Sequence, residues 1–365
     1  MITRILKVDP ERPDPAAIEE AARAIKEGKL VAFPTETVYG LGANAMDAAA
    51  VARIFAAKDR PANDPLIVHI AHIGQLGQCA SRVPPSARKL ALAFWAGPLT
   101  LILPKTPAIA DIVTAGLPNV AVRVPAHRVA RALMEMAGVP IAAPSANRFS
   151  RPSPTTAAHV IADLDGRVDL VLDGGAATIG LESSIVDFSV EPPVLRRPGG
   201  LSIEQIREHV PEVQIVDAYQ RPDQPQLAPG QLLKHYAPKA PVTLYEGEAA
   251  LVIARIAADV RTLTASGERV GILAPEEDLL ELAPRLASIA VGGRVVSRAY
   301  GARRDPERAA RELFQSLRAF DADEVTSILA IAMPTKGVGF AIRDRLFRAA
   351  EGRVLSCATN WGKTL

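Results

Sequence analysis

With 365 residues, 48% of them hydrophobic and 22% charged, the chain exceeds a typical single core and carries no apolar run long enough to span a bilayer, so two domains free in solution are expected. A net charge of +2 is too mild to announce a nucleic-acid surface. The only cysteines, Cys79 and Cys357, lie far apart with no Cys or His at ligand spacing, which argues against a zinc site or a disulfide framework. Residues 1–7 mix charges into their apolar positions and lack a signal peptide's core, so a cytoplasmic setting is expected.

The periodicity predicts an amphipathic helix over 16–25 ended by Gly28, then a buried strand over 30–33 closed by Pro34. The next stretch, Pro34-Thr35-Glu36-Thr37-Val38-Tyr39-Gly40-Leu41-Gly42, packs hydroxyls, a carboxylate and glycines behind that strand. It reads either as a loop whose backbone approaches a ligand closely or as a plain turn with a capping Thr. Asp47 caps a helix reaching Ala57, which delivers the chain to Lys58-Asp-Arg60-Pro-Ala-Asn-Asp64-Pro-Leu-Ile-Val-His69. A Lys and an Arg two residues apart can converge on one anion, although a solvated charge pair ahead of a strand would look the same.

A strand over 66–70 carries His69; a helix is expected over 84–95 and a short strand over 100–103. Arg123 lies among valines in a strand over 120–124, where an unpaired guanidinium would be costly to bury. It is either ion-paired structurally or aimed at an anionic ligand. A helix over 127–136 and a strand over 140–143 lead into Pro144-Ser145-Ala146-Asn147, and hydroxyls then precede a helix over 157–162. Strands over 170–172 and 185–188 follow, the second behind Glu182-Ser183-Ser184. A further strand ends at Arg197-Pro198-Gly199, and Ser202 with Gln205 forms a capping box for a helix to His209.

From 211 to 241 the periodicity fades, and Arg221-Pro-Asp-Gln-Pro225 reads as linker. Its Gln231-Leu-Leu-Lys-His-Tyr236-Ala-Pro238 is aromatic and basic for a passive tether, as a segment folding back over a site would be, although local packing would also explain it. Beyond it, strands over 242–245, 270–273, 295–296 and 327–331 alternate with helices, the last over 340–350, which implies a parallel sheet covered by helices. No Gly-x-Gly-x-x-Gly follows its first strand, so a dinucleotide site is not indicated. Lys336-Gly-Val-Gly339 ahead of the last helix fits an anion site or a tight turn equally.

No Ser-His-Asp or Cys-His arrangement and no nucleophile elbow appear, so covalent catalysis is disfavoured. Hydroxyls, amides and isolated cations at strand ends suit nucleotidyl or phosphoryl transfer, in which positioning and charge stabilisation carry the rate. No Asp-rich cage is present, so Mg²⁺ is expected to arrive on nucleotide phosphates.

Taken in order, 33–42, the Lys58-x-Arg60 pair, Pro65-Leu-Ile-Val-His69, Ser145-x-Asn147, Glu182-Ser-Ser-Ile-Val-Asp187 and Arg197-Pro-Gly199 resemble the YrdC-like threonylcarbamoyl-AMP synthases. The remainder resembles the long, two-domain form of that family. The resemblance implies a twisted open mixed sheet with helices as catalytic domain over 1–210. It further implies a linker over 211–241 that folds over the active site and a smaller Rossmann-like parallel α/β domain over 242–365. The implied reaction converts L-threonine, bicarbonate or CO₂, and ATP with Mg²⁺ into threonylcarbamoyl-adenylate and pyrophosphate. Downstream, a tRNA threonylcarbamoyl transferase machinery would consume the product.

Carried over by position, Thr35, His69, Arg123, Ala143 and Ser183 match threonine-binding positions. Lys58 and Arg60 match the cationic pair at the triphosphate and the reacting carbamate. Asp64, Asn119, Ser145, Asn147, Ser153 and Arg197 match nucleotide-side positions, and Tyr236 matches a linker aromatic that closes over the nucleotide. Asp64 stands where the family commonly has Asn, and a carboxylate there repels phosphate unless it touches Mg²⁺ or points away. Two rival readings differ in class: an RNA-binding or ribosome-associated module of the same fold, which the missing basic stripe disfavours, and a hydrogenase-maturation carbamoyltransferase, whose zinc fingers need more cysteines.

Overall fold

A computed structural model describes residues 2–216, 226–233, 235–287 and 294–357. The chain divides into two compact units, residues 1–149 with 153–232 and residues 150–152 with 233–365. That division falls inside the stretch expected as linker; the Arg221 to Pro225 part of the expectation and Lys234 lie outside the described residues.

The first unit is built on a mixed sheet, eleven-stranded among the described residues. In chain order the strands are β1 (Arg4–Lys7), β2 (Val31–Phe33), β3 (Gly40–Asn44), β4 (Ile67–His69), β5 (Leu99–Pro104), β6 (Asn119–Arg123), β7 (Ile141–Ala142), β8 (Leu170–Asp173), β9 (Ser184–Asp187), β10 (Val194–Arg197) and β11 (Gln214–Ile215). Across the sheet they run β1-β8-β2-β3-β7-β4-β6-β5-β9-β10-β11. The helix Pro15–Lys26 starts as its sequence dictates: the Asp14 side chain accepts the Ala16 N–H, and Pro15 needs no donor in the first turn. Its Ile18, Ala21, Ala22 and Ile25 pack with Val129, Leu133 and Met134 of the helix Arg128–Ala137 onto Val31, Phe33 and Ile141. Each large apolar side chain so buried contributes roughly 1.5–3 kcal/mol.

One expectation fails for a physical reason. The stretch 34–42 is not loop throughout, because Gly40 and Gly42 open β3, paired antiparallel with β2 and with β7. A Cβ on Gly42 would lie 2.8 Å from both Ile141 Cγ2 and Phe33 Cε1, so glycine here permits close sheet packing rather than a turn. Strand β1 was not expected, since an edge strand exposed along most of its length carries no apolar alternation to read. The capping box at Ser202 and Gln205 forms as read.

The second unit holds β12 (Val242–Gly247), β13 (Val270–Ala274), β14 (Val295–Ala299), β15 (Ser327–Ile331) and β16 (Val354–Cys357), all parallel in the order β14-β13-β15-β12-β16. Val252, Ile253 and Ile256 of the helix Ala249–Ala265 join Leu282 and Leu286 of the helix Glu276–Leu286 over Val270, Ile272 and Leu329. On the other face, Phe320 of the helix Pro306–Ala322 sits against Gly271, where a Cβ would come within 2.8 Å of its ring.

Candidate active site

Backbone register assembles the site in the first unit. His69 of β4 pairs with Arg123 of β6, and Arg123 pairs with Thr100 of β5, so a histidine, an arginine and a threonine stand in one row across three strands. Side chains two residues apart share a sheet face. On the same face as that row lie Ile67, Ala121, Ile102 and Ile185, an apolar cluster covered by Ala228 from the segment after β11. Asn119, four residues before Arg123, also shares the face, about 13 Å away along the strand.

Arg123 is buried at 3% exposure and held on three sides. Its Nη2 donates to Glu36 Oε1 at 2.6 Å, its Nη1 to Thr37 Oγ1 at 2.8 Å and its Nε to the Gly97 carbonyl at 3.2 Å. Glu36 is fixed in turn by the Ala126 N–H on Oε2 at 3.0 Å, and the hydroxyls of Thr35 and Thr37 meet at 2.8 Å. A guanidinium carries five N–H donors, so these three acceptors leave capacity on the fork for a further anion. The first of the alternatives read from sequence, a structural ion pair, is therefore present, and it also fixes the plane of the fork.

His69 is buried beside that charge, with Nδ1 3.2 Å from the Ile67 carbonyl. Burial, and then the neighbouring Arg123, push its pKa down to about 3, which keeps the ring neutral at physiological pH. Ser183 stands on the other side of the row, its hydroxyl 2.7 Å from Thr100 Oγ1. Ala143 donates its N–H to the Ile67 carbonyl at 2.8 Å, while its side chain belongs to the core with Phe33 and Ile141.

The cations gather where β4 begins. Lys58, 1% exposed, reaches the Ser145 carbonyl at 2.6 Å and the Asn147 carbonyl, which ties the helix Ala48–Lys58 to the loop after β7. Leu41 donates to the Pro144 carbonyl and Ala146 to the Tyr39 carbonyl, which straps that loop to β3. Arg60 shapes its own turn, donating to the carbonyls of Asp64 at 3.1 Å and Pro65 at 2.8 Å. It also pairs with Asp64 Oδ2 at 2.9 Å.

Asp64 is fully buried, and burial raises its carboxyl pKa against the opposing charges of Arg60, Lys58 and Arg197. The question that the unexpected carboxylate posed thus has a geometric answer: Asp64 faces cations. Arg197 joins the two ends, holding the Ser183 carbonyl through Nη2 at 3.0 Å and the Pro229 carbonyl through Nη1 at 3.1 Å. Ser153 Oγ donates to Glu182 Oε1, and the Gln226 N–H donates to the Asn63 carbonyl at 2.9 Å.

Of the expected site residues, all but Tyr236 lie in the first unit. Tyr236 belongs to the second, buried 5.3 Å from the Phe314 ring and 5.0 Å beneath the Arg345 guanidinium. The sequence reading missed Glu36 and Thr37 as partners of Arg123, Thr100 as partner of Ser183, and Glu182 as acceptor for Ser153. Glu36 carried a usable signal: a carboxylate between two threonines behind a buried strand is a natural counter-ion for an arginine embedded in another strand of the same sheet.

Fold and site together define a two-unit α/β protein whose larger sheet presents a buried, arginine- and hydroxyl-lined face of the kind that binds small anionic molecules. A family model for "Telomere recombination" matches residues 23–199, and one for the "Threonylcarbamoyl-AMP synthase, C-terminal domain" matches residues 201–351. The threonylcarbamoyl-AMP synthase of Pyrococcus abyssi is 43% identical over 346 residues, 94% of this chain and 97% of the relative. That of Bacillus subtilis is 44% identical over 339 residues, 93% and 94% respectively. The crystal structure of P. abyssi Sua5 complexed with L-threonine superposes with a TM-score of 0.88 at 43% identity, covering 97% of this chain and 99% of that one. The chain belongs to the threonylcarbamoyl-AMP synthase family, an enzyme family.

Proposed function

We propose that the chain condenses L-threonine, bicarbonate or CO₂, and ATP into threonylcarbamoyl-adenylate with release of pyrophosphate, and that the product supplies the machinery that modifies tRNA. The observation that carries this reading is the polarity of one buried sheet face. His69, Arg123 and Thr100 stand in register at one end with Ser183 bonded to Thr100, Lys58, Arg60 and Asn119 lie toward the other, and Arg197 links them. The relative crystallised with L-threonine supports the amino-acid assignment.

In this reading the remaining donors of Arg123 take the threonine carboxylate, with Glu36 holding the fork in plane. A neutral His69 and the Thr35 and Ser183 hydroxyls suit the uncharged polar groups of threonine. The threonine nitrogen bonds to the carbon of CO₂ and loses a proton, giving a carbamate. A carbamate oxygen then attacks the α-phosphorus of ATP in line, and the bond to the bridging oxygen of the β-phosphate breaks. Lys58, Arg60 and Arg197 stabilise the charge that builds on the phosphates.

Asp64 is engaged by Arg60, and Mg²⁺ is assigned to the MgATP substrate. Ser145, Asn147 and Ser153 are assigned to the nucleotide with Asn119, and Tyr236 to its closure. No described helix is long and apolar enough to cross a membrane. A reaction that consumes ATP and serves tRNA belongs in the cytoplasm.

The test is incorporation of labelled bicarbonate into threonylcarbamoyl-adenylate with threonine and MgATP, serine serving as competitor. Label in the threonine product in preference to the serine one supports the reading. No product with every component present, together with RNA binding that weakens steeply with salt, would replace it with the RNA-binding module.

A further inference from the structure

In the second unit β12 and β15 are neighbours, and the chain leaves them in opposite directions. After β12 it passes through the helix Ala249–Ala265 toward β13; after β15 it passes through the helix Gly339–Ala349 to β16, on the far side of β12. Right-handed crossovers put those two helices on opposite faces of the sheet. The loops beyond the two strand ends therefore diverge and leave a crevice, the position at which open parallel sheets take their ligands.

A cavity of about 280 Å³ lies there. Glu246 and Gly247 at the end of β12, Ile331 at the end of β15, Ala332 and Met333 beyond it, and Val252 line it. Two guanidinium groups enter its wall, Arg343 from the helix after β15 and Arg303 from the turn after β14, each with a carboxylate partner. Arg343 Nε lies 2.7 Å from Glu246 Oε1, and Arg303 Nη2 lies 2.5 Å from Asp278 Oδ2. The arginine side chains remain 32% and 30% exposed, against 22% for Glu246 and 6% for Asp278, so the cations are the more accessible halves of both pairs.

The lining selects a chemistry. Two cations matched by two carboxylates leave no net charge, and the carboxylates would repel a polyphosphate. The volume sits below the usual range for ligand pockets, of a size for a small metabolite rather than a nucleotide. An arginine fork takes a carboxylate in two parallel bonds, and a carboxylate takes an ammonium. Val252, Ile331 and Met333 offer an apolar surface beside those charges. We propose that this crevice is a second small-molecule site, specific for a free α-amino acid with an apolar side chain, separate from the threonine site of the first unit.

Calorimetric titration of the full chain tests it, with L-threonine held at saturation and L-valine, L-leucine, L-isoleucine and L-methionine added one at a time. At least one is expected to bind once per chain, and its N-acetyl and carboxamide derivatives to bind at least about tenfold more weakly, since each lacks one charge. Arg343→Gln and Arg303→Gln are each expected to weaken binding about tenfold or more, with circular dichroism unchanged. The wild-type derivative series keeps the test intact should either variant fail to fold. No binding by any of the four, equal binding by the N-acetyl and carboxamide derivatives, or inorganic phosphate competing for the same site would overturn the proposal. Threonylcarbamoyl-adenylate formation, measured separately, reports on the proposed reaction and not on binding at the crevice.

Discussion

Arg123 and Glu36 form an ion pair at 2.6 Å, with side chains only 4% and 8% exposed, between a strand end and the loop after β2. Removing one partner from such a pair leaves an uncompensated buried charge, which is more costly than the pair's own net contribution. The pair therefore couples the shape of the site to its charge.

Arg123→Ala is expected to weaken threonine binding by on the order of 2 kcal/mol or more, about thirtyfold, and ATP binding far less. Because the lone variant strands Glu36, the Glu36→Gln/Arg123→Ala pair should restore stability without restoring threonine affinity. Separate equilibrium titrations with threonine and ATP check this; equal losses for both ligands would remove Arg123 from the threonine site.

Asp64 competes with any anion for Arg60, which it approaches at 2.9 Å. Asp64→Asn keeps the shape and removes the charge, so the KM for ATP is expected to fall severalfold. A rise in KM would mean that the carboxylate helps hold the nucleotide.

His69 governs part of the acid response. Its folded pKa of about 3 lies below the unfolded value near 6.5, so between those values the unfolded chain binds a proton that the folded chain excludes. Stability is thus complete above pH 6.5 and declines as pH falls toward 3, by up to about 1.4 kcal/mol per pH unit. Urea unfolding at pH 7 and pH 4.5 should show His69→Gln losing about 2.5 kcal/mol less than wild type over that interval. Identical losses would show that the ring titrates normally.

Gly199 lies where no side chain fits. A Cβ there would stand 2.3 Å from the Glu182 carbonyl oxygen and 2.5 Å from the Ser184 nitrogen, both backbone atoms with little room to yield. Gly199→Ala should displace the turn that Arg197 grips, costing roughly 1–3 kcal/mol and lowering kcat. Unchanged thermal unfolding and turnover would contradict the close approach.

Deleting residues 229–365 removes the Pro229 carbonyl that Arg197 holds and everything after it, and turnover is expected to collapse. Steady-state rates of the truncated chain, with its folding checked by circular dichroism, decide whether that segment takes part.

The sequence by itself determined what depends on local order: the α/β alternation, the capping at Asp47 and Ser202, and the ordered motifs that carry the family resemblance. Lys58, Arg60 and Arg123 were singled out because isolated cations stand out beside apolar runs, and His69 and Ser183 through the family resemblance. Gly40 and Gly42 misled, since a glycine that permits a turn and one that permits two packed strands are identical in one dimension. Only the tertiary structure decided the pairings: Arg123 with Glu36, Thr100 with Ser183, and Tyr236 with the second unit. Strand register and burial choose those partners, and both arise from contacts between residues far apart in the chain, where no periodicity of the sequence can record them.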